Sequence, residues 1–90
     1  MKLVFILVSG TFQCEMTLVF FNSHKHADKG EVKEPLECAR FCVTDPRCEF
    51  FFVDLYNALC FIAWELKGKP VYHFDQRYLG GFANCSIAHL

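Results

Sequence analysis

ECARFCVTDPRCEFFFVDLYNALC, residues 37–60, carries four of the chain's six cysteines at gaps of three, five and eleven residues. The use of those sulfurs decides the fold. Disulfide staples, metal ligands and a reactive thiol each imply a different frame and a different compartment. PLECARFCV, residues 35–43, reads as a short helix: Pro35 suits the first helical position, and Glu34 and Glu37 sit near the positive end of the dipole. Asp45-Pro46 stops that helix. RCEFFFVD and ALCFIAWE then read as two strands joined by a short turn near Leu55-Tyr56-Asn57, a hairpin.

Further out, TFQCEMTLVFFN, residues 11–22, reads as a strand with Thr17, Val19 and Phe21 on one face and Met16, Leu18 and Phe20 on the other. SHKHADKGEVK, residues 23–33, and ELKGKPVYHFDQ, residues 65–76, read as loops on their polarity, Gly and Pro. RYLGGFANC reads as a last strand closing on Cys85, with Gly80-Gly81 as a bulge or turn signal. In MKLVFILVSG, residues 1–10, a short signal peptide cleaved after Gly10 and a first strand are both open readings. No run of eighteen apolar residues occurs, since Asp54 and Asn57 interrupt the best one, so no transmembrane helix is expected.

Composition narrows the class. Ninety residues make one domain, here 11–90, near the size at which a single core is marginal. With 53% apolar residues and eleven Phe, the chain is not a disordered one. A net charge of −1 without basic clusters excludes nucleic acid as the main partner. Six cysteines, an even count in so short a chain, point to a disulfide frame and a secreted or extracellular location.

Placement on the elements orders the sulfurs. Cys38 and Cys42 lie four apart on one helix face, and Cys42 and Cys48 flank the Asp45-Pro46 turn. Cys38 then reaches Cys60 on the second strand, leaving Cys14 and Cys85 to tie first strand to last. Of fifteen connectivities, this nested one needs no element to cross another. A bridge closing about seven residues contributes roughly 2 kcal/mol by chain entropy, and one closing about seventy roughly 4. Such sums rival the stability of a whole domain, about 5–15 kcal/mol.

The CARFC helix, the turn to Cys48, the aromatic strand CEFFFVD, the second strand LCFIAW and the outer cysteines together resemble the PAN/apple family, from Cys14 to Cys85. The short gaps also resemble the single-domain, collagen-binding antiplatelet proteins of leech saliva. The resemblance implies an α+β fold, a curved antiparallel sheet with one helix packed across it. It implies the pairs Cys14–Cys85, Cys38–Cys60 and Cys42–Cys48. It also implies a non-catalytic module that binds a protein or carbohydrate, such as a matrix protein or a sulfated sugar, without a cofactor.

The residues themselves weigh other uses. Zinc needs two close ligand pairs, and Cys38/Cys42 with His24 and His26 are the only ones to imagine. Cys48 and Cys60 are too separated, and His-x-His in a loop reads as solvated, so no metal site is expected; a reduced intracellular zinc module stays the alternative, as does a purely structural disulfide domain. No acid/base pair, phosphate loop or nucleophile motif is present, so no catalytic residue is assigned. On the hairpin, Cys48, Phe50 and Phe52 with Cys60, Ile62 and Trp64 are expected beneath the helix, with Phe51, Val53, Phe61 and Ala63 opposite. Trp64, Lys67, Lys69, Arg40 and Arg47 are the candidate ligand residues, with WELKGKPVYH as a recognition loop on a rigid frame. Asn84-Cys85-Ser86 is a candidate glycosylation sequon. His73 and His89 receive no role.

Overall fold

The computed structural model describes residues 4–72 and 76–86. One helix, α1 (Pro35–Thr44), packs on an antiparallel sheet of β1 (Val4–Ser9), β2 (Phe12–Glu31), β3 (Phe50–Asp54), β4 (Leu59–Tyr72) and β5 (Tyr78–Phe82). The order is β1-β2-β4-β3-β5, and β5 also pairs with β2. The ladder β2–β4–β3–β5–β2 therefore closes on itself, with β1 added outside. Closure runs through Gly80, which faces Phe52 of β3 and Thr17 of β2. A Cβ on Gly80 would overlap the Phe51 carbonyl oxygen, and one on Gly81 would lie 2.7 Å from that of Glu15. Only glycine lets three backbones meet there.

The sheet separates two cores. On the helix side, Leu36, Cys38, Ala39 and Cys42 of α1 pack on Met16, Leu18, Phe51, Val53, Cys60 and Ile62. The other cluster is nearly all aromatic: Phe21, Phe50, Phe52 and Val19, with Phe20, Phe61, Tyr78 and Phe82 against them. Phe52 stacks on Phe61 at 5.0 Å and meets Phe20 edge-on at 5.2 Å. These residues come from the four strands of the closed ladder, so the sheet's own curl covers them. Edge-to-face rings add about 0.5–1.5 kcal/mol per pair beyond area burial.

Three bridges lock these layers: Cys14–Cys85, Cys38–Cys60 and Cys42–Cys48, with Cα separations of 4.4, 5.4 and 5.2 Å. The first ties β2 to the turn after β5, the second ties α1 to β4, and the third pins the helix end to the start of β3. Asp45 sits at the helix C-terminus in extended conformation (φ −101°, ψ 116°), as the residue before a proline must.

Several expectations change. Residues 23–31 are not loop but the second half of β2, opposite Leu59–Leu66 of β4. The 65–76 loop is likewise strand as far as Tyr72. It carries irregularities instead: Glu65 (φ 56°) and Gly68 (φ 69°) take left-handed backbone, and Pro70 falls in the register shift between Lys67↔Asn22 and Val71↔Phe20, where no ladder N–H is needed. The β3 faces are exchanged. Phe51↔Ile62 and Val53↔Cys60 face the helix, while Phe50 and Phe52 join the aromatic core. The bend at Glu49 takes Cys48 out of the strand's alternation, so its position carries no phase information for Phe50. Phe20 joins the aromatic cluster with Val19 and Phe21 rather than the opposite face. The last strand is shorter than 77–85, ending at Phe82. His73 and His89 lie outside the described residues.

Candidate recognition surface

The connector from α1 to β3 is closed by the Cys42–Cys48 bridge, whose cysteines are six positions apart. Within it Asp45 acts as a clamp. Its Oδ1 accepts the Arg47 backbone N–H at 2.9 Å and the Arg47 Nε–H at 3.2 Å, and its Oδ2 accepts from an Arg47 terminal nitrogen at 3.0 Å. The forked guanidinium meets both carboxylate oxygens, a bidentate pairing of the strong, charge-assisted kind. The hydrogen bonds from the Arg47 side chain, then from its backbone N–H, hold the Asp45 carboxyl down to about 2.

That clamp fixes where Arg47 goes. Its guanidinium carbon lies 4.2 Å from the centroid of the Trp64 ring. Trp64, half-buried on β4, packs its indole against the helix-side core. The arginine covers part of what the core leaves open. Arg47 keeps more than half its side chain in solvent. Across the ladder Trp64 faces Lys25, whose Nζ is 3.6 Å from Glu65. Behind it, Glu49 Oε1 accepts the Leu66 N–H at 3.4 Å. The result is an aromatic–guanidinium platform on a disulfide-closed connector, edged by charges of both signs. Such a platform can stack on a planar or apolar group and donate the remaining guanidinium N–H groups to an oxygen acceptor.

Of the five candidate ligand residues, the structure brings together Arg47 and Trp64. Arg40 stands over another ring, Phe12, at 4.6 Å, beside a shallow recess lined by Glu37, Phe41 and Thr44. Lys67 and Lys69 are exposed on β4, three and five residues beyond Trp64, on strand rather than on a recognition loop. Asn84 is exposed in the turn after β5, and its Oδ1 accepts the Ser86 N–H at 3.0 Å.

A second constellation escaped the sequence reading, at the β3–β4 turn. Asp54 is buried, yet its Oδ1 accepts the Tyr56 N–H and its Oδ2 accepts from Asn57 and Arg77. Burial pushes its carboxyl up, but the bonds from Asn57, Arg77 and the Tyr56 amide outweigh that and hold it below the ordinary carboxylate range. Arg77 also lies 5.3 Å from the Tyr56 ring. The D-x-x-N spacing of Asp54 and Asn57 is a turn signal visible in sequence; Arg77, 23 residues on, has no local signal. The exposed Leu55 and Tyr56 ride on this rigid turn.

No helix among the described residues is long and apolar enough to cross a membrane, and no cluster of three metal-ligating side chains occurs among them. No family model, curated protein or solved structure matches the chain.

Proposed function

We propose that the chain is an extracellular, non-catalytic binding module of PAN/apple type, which recognises a protein or glycan through the Arg47–Trp64 platform. The observation that supports it most is that platform itself. A large aromatic and an arginine meet on the surface, held by a bridge and a bidentate carboxylate, so little side-chain entropy is lost on engaging a partner. Tryptophan and arginine are also the residue types that dominate binding energy at interfaces. Three bridges in a chain of this length favour secretion, where disulfides persist. Lys67 and Lys69 extend the surface toward acidic or sulfated groups, and their role is additive rather than central.

The test is binding to immobilised extracellular partners, with collagen and heparin as the first two probes. Saturable binding to either, weakened about tenfold or more by Arg47→Ala with the melting temperature shifted by only a few degrees, supports the reading. Saturable binding that Arg47→Ala and Trp64→Phe both leave intact moves the site elsewhere. Free thiols in the protein isolated from its source remove the extracellular reading altogether.

A further inference from the structure

The sequence reads His24 and His26 as solvated residues of a loop, but the chain there is strand β2. That changes their relation. Side chains at i and i+2 of a strand project from one face, with Cα atoms about 7 Å apart. Both imidazoles are exposed. His26 faces Ala63 across the ladder, so no bulky side chain stands opposite it, and its ring is held edge-on by Phe61 at 6.4 Å. The nearest positive charge in sequence, Lys25, pairs with Glu65 at 3.6 Å. Asp28 continues the same stripe, with one carboxylate oxygen accepting the Gly30 N–H at 2.7 Å.

We propose that His24 and His26 form a bis-imidazole chelate for a divalent late first-row transition-metal ion. Neutral imidazole is the common ligand of Zn2+, Cu2+ and Ni2+, at about 2.0–2.1 Å from zinc. Two imidazoles leaning together from alternate positions of a strand can both reach one ion, and β2 is held at this point by its pairing with β4. Among the described residues no third His, Cys, Asp or Glu completes a cage. The ion therefore keeps open positions, filled by water or by a donor from a bound partner. Cu2+ binds tightest, as ligand-field order requires. The proposal is independent of the Arg47–Trp64 reading.

Trp64, the only tryptophan in the sequence, pairs with Lys25, the residue between the two histidines, so it lies on the opposite face of the sheet from them but within quenching range of a Cu2+ ion bound there. Cu2+ added to the intact, oxidised protein is expected to quench Trp64 fluorescence saturably at one equivalent, with reversal by a chelator. Each of His24→Gln and His26→Gln weakens that quenching by about tenfold, while the double variant His73→Gln/His89→Gln leaves it within about twofold. Amide signals of residues 23–27 and 63–65 broaden first in an NMR titration with the same ion. The proposal is overturned if either single variant binds as the parent does, or if the His73/His89 variant abolishes quenching. It is equally overturned if broadening centres away from β2.

Discussion

At the residue scale, two positions carry more than their size. Gly80 is where β3, β5 and β2 backbones converge, so Gly80→Ala must push a strand aside. Overpacking of this kind costs about 1–3 kcal/mol, measurable as a lowered denaturation midpoint at unchanged m-value. Asp45 is the second. Its carboxyl titrates near 2 because Arg47 donates to it, so Arg47→Ala should raise the Asp45 midpoint toward the ordinary value of about 3.9 in an NMR titration. Asp54 is depressed as well. A carboxylate whose folded pKa lies below its unfolded one stabilises the fold above the unfolded pKa and loses that contribution as pH falls through the folded one. Acid should therefore weaken the domain between about pH 4 and pH 2, and Asp54→Asn should flatten that slope.

At the element scale, what was legible and what was not have one cause. The α1 boundaries were readable because Pro35 and Asp45-Pro46 act on the backbone locally. The polar half of β2 was not, because a polar stretch with a glycine has the composition of a surface loop. Among the described residues, 22–31 pair on one side only, with β4. A strand edge left open is where lysine, bulges and charged side chains protect against pairing with another chain. The composition of Ser23–Glu31 is that of a guarded edge. Cross-strand NOEs from Lys25 to Trp64 and from His26 to Ala63 are expected, and their absence would return this segment to loop. The exchanged β3 faces have a similar origin: alternation is legible only inside a strand, and Cys48 lies before one. The Arg47–Trp64 pairing was half legible, since both residues stood out singly, but nothing in their seventeen-residue separation shows that Asp45 aims the guanidinium at the indole.

At the scale of the whole molecule, the bridges act unequally. Replacing Cys42 and Cys48 together by Ala frees a loop of about seven residues, at a cost of about 2 kcal/mol on the chain-entropy estimate; replacing Cys14 and Cys85 costs about 4. Chemical denaturation of the two double variants should rank them in that order. The outer bridge also sets how the domain answers tension. Cys14 and Cys85 stand 71 positions apart in sequence with their Cα atoms 4.4 Å apart. A pulling force that reaches Cys14 and Cys85 therefore passes through one sulfur–sulfur bond and bypasses the helix, β3, β4 and β5 between them, whereas β1, which precedes Cys14, lies outside the bridge and can be peeled from β2. Stretched while oxidised, the segment from Cys14 to Cys85 behaves as a short inextensible link. Once that bond is reduced, and the inner ones with it, the same pull can draw out a further ~240 Å of chain.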